Sequence, residues 1–561
     1  MNRTIRRFGG FLAFFYLGAC AATTAVAPPP LPATMVAEAG KTAAETSAAA
    51  RIEADMRWLA DDAREGREAG TDAYRQAANY VAARMAGLGL TPAGNNGWFQ
   101  EVTLRESTPV VELASLSITT PDGETHELTN VEDFVVFPSA AAQEMEIVAA
   151  PVVFVGYGVH APEHGHDDYA GLDVAGKVVA FFSGAPDSFD SEERAHFGGS
   201  GRKSAAASEL GAIGMISLTS KAGEQRFPWE RLSQFANRSR MTWVHPDGRA
   251  DTSGPNIRGT AALNPAISEL LFTDAEQSFE EVRNDVDAEG VNPKAFALGT
   301  SVSMKGAVTQ KDVMSPNVIG MIPGSDPARR NEYVVLSAHL DHVGVNERLV
   351  EEGKDGINNG ALDNAAGVST MLEAARRMLE GPRPARSVLF IALTAEEKGL
   401  LGADFFAHYP TVAKDGIAAN VNLDMPVLLY SFTDVVAFGA ERSSLGPIVE
   451  AAAGKIGVTL SPDPMPEQGL FTRSDHYRFV EQGVPSVFLV TGFANGGAEK
   501  FGEFLQTNYH KPSDDMSQPI LFEDAARFAD VNYMIALELA NAKERPTWND
   551  GDFFGDLFGK K

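Results

Sequence analysis

The 561-residue chain contains a single cysteine, Cys20. That excludes an internal disulfide and any zinc site built on thiolates. Positive charge is scarce: 47 Lys and Arg stand against 75 Asp and Glu, a formal net charge of −28. Such a surface repels nucleic acid and anionic lipid head groups, so a polyanionic partner is excluded. No apolar run is long enough to read as a membrane-crossing helix. The His-Glu-x-x-His metal motif, the Gly-x-Ser-x-Gly nucleophile elbow and a glycine-rich nucleotide loop are all missing. No nucleotide cofactor is expected, and there are no repeats.

What is present begins with a targeting segment. Arg3, Arg6 and Arg7 precede a short apolar run over residues 8–17, which ends in Leu17-Gly18-Ala19-Cys20. This reads as a secretion signal over residues 1–20. The tetrapeptide resembles a bacterial lipoprotein box, in which the signal is cut before Cys20 and the cysteine is lipidated. Ordinary cleavage near Ala19 or Ala22 is the alternative. The expectation is export from a bacterial cytoplasm, with a lipid anchor in a membrane facing the periplasm, or otherwise secretion. Residues 21–49, rich in Ala, Thr and Pro, read as a flexible linker.

The length suggests two or three packed units. Ile52, Met56 and Leu59, then Tyr74, Ala77, Ala78, Val81 and Met85, recur at helical spacing. Strand-like segments follow from Phe99 to about residue 137. Residues 50–137 are therefore assigned to the first part of the main domain. Residues 138–300 read as an inserted β-rich unit with short strands at 152–155, 177–182 and 212–218 and a helix at 203–210. From 301 to 545 short apolar strands alternate with helices, which predicts a largely parallel or mixed sheet covered on both faces. Residues 546–561 are a short tail.

Chemistry-bearing residues collect where those strands end. Ser337-Ala338-His339-Leu340-Asp341-His342 follows the strand at 333–338. His339 and Asp341 are two apart and point the same way in an extended segment, so one can bind a metal while the other orients it. Asp363 sits just before a helix, as an N-cap or as a ligand. Glu396 and Glu397 end the strand at 387–394, and Asp424 follows the strand at 418–423. Paired carboxylates at a strand end in a core are costly unless paired or metal-bound. The last cluster is Asn508-Tyr509-His510. A mixture of imidazole and carboxylate ligands suits zinc, and two Zn2+ ions sharing a carboxylate could activate one water.

The order and local context of these clusters resemble the M28 family of zinc exopeptidases, over nearly all of the mature chain. The resemblance implies His339, Asp363, Glu397, Asp424 and His510 as ligands of two zinc ions, with Asp363 bridging. It implies Glu396 as the catalytic general base and Asp341 as the support of His339. Leu362 departs from the family pattern, where close relatives often carry Asp. Residues 65–71 and 156–179 resemble members with an inserted protease-associated domain. Arg473-Ser474-Asp475-His476 resembles a segment near the active cleft, so Asp475 and His476 are expected to contact substrate, with a structural histidine as the alternative at His476; Tyr509 is a further expected substrate contact. The implied fold is α/β, a phosphorylase/hydrolase-like three-layer α/β/α zinc peptidase domain with a β-rich protease-associated insert. The implied activity is removal of the N-terminal residue from peptide substrates. A carboxypeptidase or dipeptidase, a glutaminyl cyclase-like acyltransferase, and a non-catalytic binding protein are the alternatives.

Overall fold

The computed structural model describes residues 47–559. The signal segment, Cys20 and nearly all of the linker lie outside the described residues. No described helix is long and apolar enough to cross a membrane.

The chain enters through two helices that the apolar spacing anticipates. Ala48–Leu59 starts where the Ser47 hydroxyl accepts the Ala50 amide (3.2 Å) and buries Ile52, Met56 and Leu59. Asp72–Leu88 is capped by Thr71, whose hydroxyl accepts the Tyr74 amide (3.1 Å). It stops at Gly89, whose φ of 91° favours glycine. Asp72–Leu88 packs against strand Phe296–Ile322 of the main sheet, and Ala48–Leu59 against helices Ala366–Glu380 and Phe522–Asn541.

That sheet runs in the order Phe99–Pro109, Phe296–Ile322, Ser387–Leu393, Tyr333–His339, Ile417–Leu423, Ser486–Thr491, Asp434–Phe438 and Thr459–Ser461. Its centre is parallel: Tyr333–His339 pairs in parallel with Ser387–Leu393 and Ile417–Leu423, and the latter with Ser486–Thr491. Alternation across the pleat sends side chains into two layers. Val334, Leu336, Ala338, Val388, Phe390 and Ala392 join a core with Val368 and Leu372 of helix Ala366–Glu380 and Phe528 and Ile535 of helix Phe522–Asn541. Val335, Leu389, Ile391 and Leu393 face the other way, against Ala403 and Phe406 of helix Leu401–His408 and against Phe479. Burial on both faces is why these strands read as continuous apolar runs rather than alternating ones.

A second sheet is built from the inserted stretch. Its order is Thr125–Glu127, Ser115–Thr119, Phe296–Ile322, Glu144–Phe154, Val178–Phe182, Gly214–Leu218, Gly259–Leu263 and Phe134–Pro138. The 27-residue strand Phe296–Ile322 belongs to both sheets and joins them. The result is a mixed α/β fold with an inserted strand-rich region.

The pairing departs from the sequence reading in two places. Ser115–Thr119 and Phe134–Pro138, assigned to the main domain, hydrogen-bond within the second sheet, which thus begins before residue 138. Arg240–Trp243, inside the stretch assigned to the insert, pairs instead with Phe99–Pro109 in the main sheet. Trp243 is fully buried there and donates its indole N–H to Asp404 of the main domain (2.8 Å). Partner choice of this kind depends on contacts between distant segments and leaves no local pattern.

Candidate metal centre

Parallel strands leave their carboxyl ends open, and connecting loops deliver side chains there. His339 is the last residue of the central strand, Glu396 and Glu397 follow its neighbour Ser387–Leu393, and Asp424 follows Ile417–Leu423 on the other side. Asp363 arrives from the loop before helix Ala366–Glu380 and His510 from the loop after helix Gly497–Thr507. Three of the residues that aim these groups have left-handed backbones without being glycine: Ala395 (φ 54°), Met425 (φ 44°) and His510 itself (φ 55°). Backbone strain of this sort is held in place where a side chain must point against local preference.

Two groups of potential ligands result, and Asp363 belongs to both. In the first, His339 Nε2 lies 3.0 Å from Asp424 Oδ1 and 3.2 Å from Asp363 Oδ1. In the second, His510 Nε2 lies 3.3 Å from Asp363 Oδ2 and 3.1 Å from Glu397 Oε2. His342 completes the second group, its Nδ1 being 2.7 Å from Glu397 Oε1 and 3.8 Å from Asp363 Oδ2. The five residues expected as ligands are all brought together here.

His342 is the residue that sequence reasoning passed over. It stands in the same stretch as His339 and Asp341 and is fully buried, with Nε2 lacking any hydrogen-bond partner. The signal available was a second histidine three residues after the first, at the same strand end.

The neighbours of the ligands set their orientation. His339 Nδ1–H donates to the main-chain carbonyl of Asp341 (3.1 Å), which leaves Nε2 as the free lone pair. Asp341 does support His339, but through its backbone. Its carboxylate instead accepts the amides of Glu396 (3.1 Å) and Glu397 (3.3 Å) and pins the turn that carries both. Asp341 is completely enclosed and presents no surface to a ligand. Ser474 Oγ donates to Asp424 Oδ2 (2.5 Å), and Asn422 donates to Ser474 Oγ (2.8 Å). Asp363 is not a helix cap. Its neighbour Asn364 takes that part, accepting the Gly367 amide (2.9 Å). Gly367 is required there, since a Cβ would lie 2.1 Å from Asn364 Oδ1 and 2.6 Å from the Leu423 carbonyl.

Electrostatics separate the two adjacent glutamates. Burial and the Asp363 charge push Glu397 up, but hydrogen bonds from His342 and His510 outweigh them and hold it at about 2. Burial drives Glu396 well above the ordinary carboxylate range, with Asp424, Glu397 and Asp475 adding to the push and only His339 opposing it. Neighbouring carboxyls driven apart in this way mark separate roles. On the ligand side, His510 is held up at about 10: burial lowers it, and Asp363 and Glu397 more than compensate. Burial lowers the imidazoles His339 and His510, but the buried carboxylates concentrate negative charge that raises them, a charge that divalent cations can neutralise in place of the protons. The donor set, oxygen and imidazole nitrogen in two groups sharing a carboxylate, fits two zinc ions.

Two expectations about substrate contact are corrected. Asp475 and His476 are fully buried, and neither presents any surface to a ligand. Their ionisable atoms lack hydrogen-bond partners; burial raises Asp475 well above its ordinary range and lowers His476 to about 3. His476 packs among aromatic rings, with Phe471 at 5.1 Å and Phe488 at 5.4 Å between centroids. Helix His476–Val480 turns both side chains inward, an orientation no short motif reveals. Tyr509 is half-buried and stacks on His510 with centroids 3.8 Å apart, which places it beside the ligands.

Residues 317–536 match the family model described as "Peptidase family M28", and all the ligands above lie within that stretch. Over that stretch the chain is similar to peptidase family M28. Similar proteins include the probable leucine aminopeptidase 2 of Aspergillus oryzae, 27% identical over 247 residues that make up 41% of this chain and 46% of the relative. Aminopeptidase YwaD of Bacillus subtilis is 28% identical over 228 residues, 40% of this chain and 41% of the relative. The matches thus span about half the length of these relatives. Among solved structures, an aminopeptidase from Aneurinibacillus sp. strain AM-1 aligns over 91% of this chain and 97% of its own, at 18% identity and a TM-score of 0.49. Arg67, Trp243 and the second sheet, including the part of Phe296–Ile322 that pairs within it up to Ala307, lie outside the residues matched by the M28 model.

Proposed function

We propose that the protein is a co-catalytic two-zinc aminopeptidase that hydrolyses the first bond of peptides with a free amino terminus. The observation that carries this reading is a raised, non-ligand glutamate, Glu396, beside two ligand groups that share Asp363. Several relatives are named as aminopeptidases, which supports the choice among exopeptidases. In this reading His339 and Asp424 would hold one zinc ion, Glu397 and His510 the other, and Asp363 would serve both. His342 orients Glu397. Bound zinc supplies Lewis acidity, lowering the pKa of water and polarising a carbonyl.

The protein's own groups do the rest. Glu396 accepts a proton from the attacking water and passes it to the departing amine, so no covalent enzyme intermediate forms. Asp341 holds the Glu396 amide and keeps the carboxyl aimed at the centre. Tyr509, stacked on His510, borders the space where the scissile bond lies. The layers described above are read as a phosphorylase/hydrolase-like α/β/α domain, and the second sheet as a protease-associated insert. Export, with lipidation at Cys20, is part of the same reading and rests on residues 1–20.

Peptides blocked at either end test the substrate class. Dipeptide and tripeptide amides with a free amino terminus should be cleaved, and their N-acetylated counterparts should not. Cleavage of the N-acetylated peptides with release of the C-terminal residue would assign a carboxypeptidase instead.

A further inference from the structure

The bridging position of Asp363 depends on a short loop, and two buried charges outside the ligand set grip that loop, one through its carbonyls and one through its amides. Arg67 has no exposed surface, although it carries a guanidinium. Its guanidinium donates to main-chain carbonyls: Nε to Leu340 (3.0 Å), Nη1 to Leu59 (2.7 Å) and Asn359 (2.6 Å), and Nη2 to Gly360 (3.0 Å). Leu340 follows His339, and Asn359 and Gly360 begin the loop that leads to Asp363. Asp514, also fully buried, does the complementary thing. Its Oδ1 accepts the Leu362 amide and its Oδ2 the Asp363 amide, both at 3.0 Å, and its own carbonyl accepts the Ala361 amide at 3.0 Å. The cation takes carbonyls and the anion takes amides, so each charge meets the peptide pole of opposite sign.

Arg67 is itself fixed in place. Its backbone is left-handed (φ 49°), and its carbonyl accepts the His342 amide (3.3 Å). Gly66 before it packs so closely that a Cβ would lie 2.5 Å from the Asn358 carbonyl and 2.7 Å from that of Gly344. Burial lowers the guanidinium only to about 10, because Asp514, Asp363, Asp341 and Glu397 surround it. It therefore stays charged at neutral pH.

We propose that Arg67 and Asp514 are positioning residues, a charged clamp that holds the loop from Asn359 to Asp363 so that Asp363 is presented to both metals in one orientation before they bind. The clamp rests on the reading of Asp363 as the shared ligand. It makes residues at opposite ends of the chain part of the zinc site, one of them outside the M28 match.

The test uses Arg67→Lys and Asp514→Asn in the full-length protein, with zinc affinity measured by chelator competition in the absence of substrate. Losing a supporting partner of a metal ligand weakens binding by roughly 10–100-fold, and that loss is expected for each variant. At saturating zinc, KM for a free dipeptide amide should stay near wild type while kcat remains lowered, because the metals return to a loosened loop. Hydrogen exchange on the unmodified protein gives an arm that does not depend on a variant folding. The amides of Leu362 and Asp363 should be equally protected with and without zinc. Wild-type zinc affinity in both variants, even with lowered stability, would reduce the pair to fold support and overturn the proposal. So would loss of amide protection on removing zinc. Because affinity and exchange are read without substrate, a wild-type protein inactive on peptides would sink the peptidase reading and leave the clamp standing.

Discussion

Glu396→Gln is expected to keep its zinc and lose roughly 10²–10⁴-fold in kcat, the usual scale for removing a positioned acid–base group. The glutamine keeps the size of the side chain and its amide to Asp341, so the turn should survive. What it loses is an oxygen basic enough to take a proton. Glu396 is set apart from Glu397 by its surroundings: burial and neighbouring carboxylates hold it high, whereas two histidines hold Glu397 low. Glu397→Gln should therefore behave differently, losing metal as well as rate. Zinc analysis and kinetics on both purified variants, at the same free zinc, decide the matter. Metal loss in Glu396→Gln with retention in Glu397→Gln would reverse the roles. Near-normal turnover in Glu396→Gln would mean that the proton moves through another group.

Asp363→Asn is expected to empty both metal positions and to reduce hydrolysis to the uncatalysed background. Asp363 is the only residue shared by the two ligand groups among the described residues, with one oxygen 3.2 Å from His339 and the other 3.3 Å from His510. An amide at that position carries no charge and offers one oxygen where two are needed. Asp424→Asn touches one group and should leave the ion held by Glu397 and His510 in place. The contrast is read by metal analysis after exhaustive dialysis: near zero for the first variant, one ion per chain for the second. Equal metal content in the two variants would contradict the bridging role.

The ligands were legible in the sequence because chemistry concentrates at strand ends. An apolar run followed at once by His339, by Glu396 and Glu397, or by Asp424 is improbable unless something compensates the buried charge. The continuous apolar strands also announced a sheet covered on both faces. Other features were hidden for physical reasons. Arg67 looked like one more charge in a turn-rich segment, since its partners are carbonyls that only the folded chain brings near. The strand Arg240–Trp243 carries no sign of which sheet it joins. Asp475 and His476 were expected at the cleft because Arg473-Ser474-Asp475-His476 resembles a family segment there, and such a likeness does not tell which way a side chain points; here both are buried. His342 needed only the observation that a second histidine stands three residues after His339 at the same strand end.

The central claim is that two metal ions act together, and a zinc titration of the chelator-treated protein tests it most directly. With activity on a free dipeptide amide followed at each addition, the account predicts that full activity is reached only as zinc approaches two ions per chain, and that chelation abolishes it again. Full activity at one ion per chain, or activity that survives removal of all metal, would contradict it.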